Sequence, residues 1–155
     1  MFRIRDWLYV SGYPNASNKA TVKKHNIDAM LQLFEPIKMA GVDALYIRVE
    51  DGIAISADAI QEGVNFVLKQ HKKGKRVLIT CRAGISRSVT FATAVLKAVE
   101  GLSLEAAYRD IRTHHKQALP DHVHWDSLRT YYGEGTEFWQ IWQSIMLDED
   151  EELEP

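Results

Sequence analysis

The amino-acid sequence predicts an α/β fold: a central, mostly parallel, twisted sheet of four to five strands flanked by helices. Three observations carry that prediction. Short apolar runs alternate along the chain with longer segments of helical spacing. Turn and cap residues fall between them. One run, Val77-Leu78-Ile79, is apolar without alternation, as in a strand buried on both faces. Strands interleaved with helices pair in parallel, because each helix carries the chain back across the sheet.

The elements follow in order. Trp7-Leu8-Tyr9-Val10 reads as a strand closed by the turn Ser11-Gly12-Tyr13-Pro14. Ser17 is placed to cap a helix through about Lys24, and Ala29 to Phe34 and Ala44 to Val49 read as two more strands. Ser56 opens a helix with Ile60, Val64, Val67 and Leu68 at helical spacing. Its basic end stops at Gly74, ordinary helix-stop chemistry. Arg76 to Thr80 is the central strand, and Arg87 to Glu100 a helix ended by Gly101. Ser103 and Asp121 are placed to cap helices running to about His115 and Tyr132. A last amphipathic segment puts Phe138, Ile141, Trp142 and Ile145 on one face.

Composition narrows the function classes. The chain has 155 residues, 46% hydrophobic and 26% charged, the balance of one globular domain rather than a disordered chain. The longest stretch without charge, Trp7 to Asn18, is twelve residues and holds Ser, Pro and Asn, so no membrane insertion is expected. The one cysteine, Cys81, cannot make an internal disulfide, which points to the cytoplasm. Six acids (Asp148, Glu149, Asp150, Glu151, Glu152 and Glu154) crowd the last eight residues. Without them fifteen acids face nineteen bases, a body of about +4, too mild for nucleic acid but suited to anionic ligands. We expect a single domain over residues 1–147 and an acidic, disordered tail over 148–155.

The chemistry lies in Cys81-Arg82-Ala83-Gly84-Ile85-Ser86-Arg87-Ser88, directly after the central strand. Ligands on an open α/β sheet bind beyond the carboxyl ends of strands, where Cys81 sits. A tight loop running into a helix N-terminus makes an anion nest of backbone N–H groups. Gly84 allows the positive φ that such curvature needs, and Arg87 brings a planar fork to a tetrahedral oxyanion. The same positive surroundings favour the nucleophilic thiolate. Nucleophile and oxyanion cradle share one loop, an arrangement for covalent transfer from a phosphoester. The plain alternative, an inert core cysteine, fits poorly with two serines, a glycine and two arginines around it.

This run resembles the C-x5-R-[ST] signature of the cysteine-dependent protein tyrosine phosphatases. Ala-Gly-Ile-Ser-Arg-Ser is similar to their dual-specificity branch. The resemblance extends over about Ile4 to Tyr132, through Leu8-Tyr9-Val10-Ser11-Gly12, Ile27 to Leu33, Val49-Glu50-Asp51, Ala107-Tyr108 and Leu119-Pro120. It implies that Cys81 attacks phosphorus and becomes a cysteinyl-phosphate, and that Asp51 protonates the leaving oxygen and then assists water. It also implies that Arg87 and the loop from Arg82 through Ala83, Gly84, Ile85 and Ser86 hold the phosphate. Ser88 would hydrogen-bond the sulfur. No cofactor or metal is implied; the partner is a phosphorylated protein or peptide.

Several points stay open at this stage. Asp51 before Gly52 is also ordinary turn chemistry, and Glu50 and Asp58 are rival acids. The family has His immediately before the cysteine, where it orders the loop; here Thr80 donates one hydrogen bond and carries no charge. The family often has Asn after the proline; Asp121 accepts hydrogen bonds there or simply caps its helix. His114-His115 and His122-Val123-His124 do not share helix faces, which argues against a metal. The aromatic run Phe138 to Trp142 reads as helix packing. Alternatives to the protein phosphatase are a phosphoinositide or other small-phosphoester phosphatase, and a phospho-binding module without turnover. Lysines typical of lipid-directed relatives are missing from the loop, where Ala83 and Ile85 stand.

Overall fold

A computed structural model describes residues 1–153. The chain runs β1 (Phe2–Arg5), β2 (Leu8–Gly12), α1 (Tyr13–Ala16), α2 (Lys19–Lys24), β3 (Ala29–Gln32), β4 (Asp43–Tyr46), α3 (Ala57–Lys72), β5 (Val77–Cys81), α4 (Arg87–Glu100), α5 (Leu104–His114), α6 (His122–Tyr132) and α7 (Phe138–Leu153). The five strands form one sheet in the order β1-β2-β5-β3-β4, with β2, β5, β3 and β4 parallel and β1 antiparallel at the edge. The central strand β5 is fully buried, as its unbroken apolar run requires.

Side-chain alternation divides the core in two. Leu8, Val10, Leu31, Val77 and Ile79 join the large cluster with Phe91, Val95, Tyr108 and Trp125. Tyr9, Met30 and Leu78 face the other way, onto Ala16, Val22 and Ile27. The larger cluster draws on α3 through α6, which leaves the carboxyl edge of β5 open to the β5–α4 loop.

Four local differences from the sequence reading have physical causes. Strand β1 went unread because it is short and charged; only Ile4 buries its side chain fully, and Arg3 and Arg5 blunt the sheet edge. The cap of α2 is Asn18, whose Oδ1 accepts from Thr21 N at 3.0 Å, while Ser17 ends α1 and gives its hydroxyl to Tyr13 O. Strand β4, expected to run to Val49, stops at Tyr46, although Ile47 N and Val49 N still reach Gln32 O and Leu33 O at 2.9 and 3.2 Å. The expected disordered tail is instead helical through Leu153, because Asp148 pairs with Arg109 at 3.0 Å and Glu149 with Arg112 at 2.8 Å. Residues 154 and 155 of that tail lie outside the described residues. Phe138 packs on Trp125 and Tyr108 with ring centroids 5.6 and 5.4 Å apart, so the aromatic run does start the helix's packing face.

Candidate active site

Strand register delivers the nucleophile. In the β2–β5 ladder Gly12 stands opposite Cys81, and the next residues of both strands turn together. A Cβ on Gly12 would meet Arg82 O at 2.9 Å, and one on Gly84 would meet Gly12 N at 2.5 Å. Gly84 has φ +75 besides. The loop therefore folds against the end of β2 only because both positions are glycine. Tyr13 N closes the junction by donating to Arg82 O at 3.0 Å.

Cys81 lies at the floor of the loop, 2% exposed. Its Sγ accepts from Gly84 N at 3.2 Å and sits 3.2 Å from Ser88 Oγ, in the buried first turn of α4. The loop carbonyls point away from the sulfur and are bound from outside. Arg82 O accepts from Tyr13 N, Gly84 O from His115 Nε2 at 2.8 Å, and Ile85 O from Leu119 N at 3.0 Å. Ser86 O accepts from Thr90 N and Thr90 Oγ1, both at 2.9 Å. The amides of Ala83, Ile85 and Ser86 have no protein acceptor among the described residues. A trans peptide with its carbonyl turned out turns the following N–H in. The result is a cluster of free donors above a sulfur, a ready anion cradle.

Arg87 is 8% exposed and held on two sides. Its Nη1 donates to Val49 O at 2.8 Å, and its guanidinium carbon lies 5.6 Å from the Phe34 ring centroid. Arg82 lies over the same ring at 5.9 Å but is exposed. Tyr13 meets Phe34 edge-on at 5.6 Å, so the two rings form one aromatic wall of the loop.

Asp51 lies on an exposed turn whose Gly52 has φ +72. Its carboxylate has no protein partner among the described residues. The turn is tied to the site through its backbone: Val49 O by Arg87, and Glu50 O by His124 Nε2 at 3.1 Å. The rivals have other employment. Glu50 pairs with Arg48 at 3.1 Å, and Asp58 sits in the first turn of α3, at the positive end of that helix.

The supporting residues divide differently from the sequence reading. The Thr80 hydroxyl goes to Cys81 O at 3.4 Å and contacts no later loop carbonyl. The Asp121 carboxylate caps α6 by accepting from Val123 N at 2.8 Å; it is the Asp121 backbone N–H that reaches the loop, donating to Ser86 Oγ at 2.8 Å. That hydroxyl also lies 3.5 Å from His124 Nδ1.

Sequence reasoning missed His115 and His124. It weighed both histidine groups only as metal ligands. Because neighbours on a helix do not share a face, one member of each group points inward. His115 and His124 are 1% and 0% exposed and bind the site, while the side chains of His114 and His122 are 43% and 79% exposed. Nothing in the local pattern says which member turns in; the partners are thirty or more residues away.

Residues 8–134 match the family model described as dual specificity phosphatase, catalytic domain. The chain is similar to Dual specificity protein phosphatase 1 of Arabidopsis thaliana, 29% identical over 122 residues, 76% of this chain and 62% of that protein. It is similar also to Phosphatidylglycerophosphate phosphatase PTPMT1 of Arabidopsis thaliana, 26% identical over 140 residues, 84% of this chain and 42% of that protein. The chain thus spans less than two thirds of either relative. Its fold is similar to the crystal structure of human DUSP28, with a TM-score of 0.78, 21% identity, and coverage of 84% of this chain and 94% of that one.

Proposed function

Because the chain belongs to the dual specificity phosphatase family, we propose that it removes phosphate from phosphotyrosine, and from phosphoserine or phosphothreonine, in proteins. The observation that carries this reading is the loop itself, with Cys81 Sγ beneath unpaired amides and beside Arg87. Cys81 Sγ attacks phosphorus as the P–O ester bond breaks, and Asp51 gives its proton to the leaving oxygen. Arg87 and the loop amides take the charge on the equatorial oxygens. Water then attacks the cysteinyl-phosphate, Asp51 takes its proton, and the sulfur leaves with the Ser88 hydroxyl beside it. The lone thiol suits the cytoplasm as the place of action.

A second reading is favoured by the resemblance to proteins named a phosphatidylglycerophosphate phosphatase, from Arabidopsis thaliana, and a phosphatidylglycerophosphatase and protein-tyrosine phosphatase, from Homo sapiens. Against it, Ala83 and Ile85 give the loop mouth no lysine for a lipid headgroup.

A substrate panel tests both. Wild type and Cys81→Ser are assayed on phosphotyrosine and phosphoserine peptides and on phosphatidylglycerophosphate in vesicles. The protein reading expects peptide turnover far above lipid turnover, and a loss of about 10⁴-fold or more for Cys81→Ser with peptide binding retained. Turnover confined to the lipid replaces it with the second reading. Equal turnover by Cys81→Ser removes the cysteine mechanism.

A further inference from the structure

The loop has lost the histidine that its family places before the nucleophile, and Thr80 does not fill that role, since its hydroxyl stops at Cys81 O. Of the outward carbonyls from Arg82 to Ile85 that have a donor, two are met by backbone N–H groups, of Tyr13 and Leu119. The third, Gly84 O, is met by a side chain, His115 Nε2, at 2.8 Å. His115 leaves α5 as its C-terminal cap at φ −145 and ψ 86, and its N–H still holds Ile111 O at 2.9 Å. That break in the helix turns the ring inward, 1% exposed, stacked on Phe2 with centroids 3.7 Å apart. A carbonyl only accepts, so Nε2 carries the hydrogen. Nδ1 is buried without a partner, so a second proton would have no acceptor. Burial lowers the pKa from its ordinary 6.5; the hydrogen bond to Gly84 O opposes that shift, and the N-terminal amine and Arg112 add to it.

We infer that His115 is a positioning residue of the phosphate loop, holding Gly84 O outward so that the Ile85 N–H faces the oxyanion. The geometry of a trans peptide links those two groups directly, and a donor on the carbonyl strengthens the N–H at the other end. Gly84 also gives its own N–H to Cys81 Sγ, so one residue carries the histidine's pull to both nucleophile and cradle. A side chain from the end of α5 thus stands in for the residue that Thr80 replaced. The inference rests on the phosphatase reading above.

The test compares wild type, His115→Leu and His115→Gln. Leucine keeps apolar volume against Phe2 and removes the donor; glutamine puts an N–H near the place of Nε2. The readouts are inhibition by vanadate, an oxyanion probe, kcat/KM on p-nitrophenyl phosphate, and thermal melting. We expect His115→Leu to lose about tenfold in vanadate affinity and by a similar factor in kcat/KM while still folded, and His115→Gln to recover most of both. Wild-type values for folded His115→Leu, or a folded His115→Gln no better than leucine, overturn the inference. Should His115→Leu not fold, nitrogen NMR of the wild-type ring decides. Protonated Nε2 with bare Nδ1 at neutral pH supports the inference, and the opposite tautomer or a charged ring overturns it. A wild-type protein that neither binds vanadate nor hydrolyses the substrate instead removes the phosphatase reading, an outcome distinct from failure of the histidine.

Discussion

The phosphate loop and the turn bearing Asp51 adjoin, yet they are built in opposite ways. In the loop the carbonyls of Arg82, Gly84, Ile85 and Ser86 are spent on donors from the start of α1, the end of α5, the segment before α6 and α4. In the turn the residues from Glu50 to Ala54 are all exposed, and apart from the exposed Arg48–Glu50 pair it is held by backbone atoms at its two ends, through Arg87, His124 and Ser127. The contrast follows the chemistry each must do. Oxyanion stabilisation depends on donors fixed before charge develops. A proton donor needs only to reach the leaving oxygen once substrate is bound, since hydrogen bonds of this kind tighten in the complex.

The largest effect that would break this comparison is expected at Gly84. In Gly84→Ala the new Cβ meets Gly12 N at 2.5 Å and Ser11 C at 2.6 Å, backbone that cannot swing aside, at φ +75. The loop must move. We expect kcat/KM to fall by about 10²-fold or more and stability by about 2 kcal/mol, read from thermal or urea melts. An alanine variant with wild-type turnover would mean the loop is not preorganised, and the contrast would collapse.

Asp51 sharpens the comparison from the other side. Asp51→Asn keeps the shape of the turn and removes the transferable proton. On an alkyl phosphate, whose leaving oxygen needs that proton, kcat/KM, which reports the step that forms the cysteinyl-phosphate, should fall by about 10²-fold. On p-nitrophenyl phosphate, whose leaving group departs as the anion, the loss should be several-fold at most. Equal losses on both substrates would show that Asp51 shapes the site and that the acid is another group.

How much of this was legible beforehand follows the same division between local and distant. Helix caps at Ser56, Ser103 and Asp121, and the stop at Gly101, could be read because cap and helix lie within a few residues of each other. The strand-loop-helix around Cys81 could be read because a phosphate nest must be continuous in sequence. The bracing could not. Val49 O meets Arg87 from thirty-eight residues away and His115 meets Gly84 from thirty-one. No periodicity announces such pairs, and the two histidine groups attracted a metal question that hid the structural one. Asp121 shows the limit most closely: its side chain caps α6, and what reaches the loop is its backbone N–H, which any residue but proline would supply.

The smallest expected effect concerns the acidic end of α7, which the charge pattern alone would let screen the cationic loop. The structure pins its first two acids elsewhere, Asp148 on Arg109 and Glu149 on Arg112, both on α5. Arg112 is the more buried partner, its side chain 10% exposed, and it also donates to Ala118 O at 3.3 Å, one residue before Leu119. Removing residues 148–155 should therefore cost stability rather than alter the site. Partly exposed ion pairs contribute under about 1 kcal/mol each, so losing the two pairs from a chain of this size lowers Tm by at most about 4–8 °C. Ile141 and Ile145 remain buried and keep the helix docked. Turnover and its dependence on salt should be unchanged. A truncated protein with faster turnover at low salt, converging on wild type at high salt, would mean the acids act on the phosphate loop through the field. The contrast between a braced loop and a free turn would then need the tail as a third member.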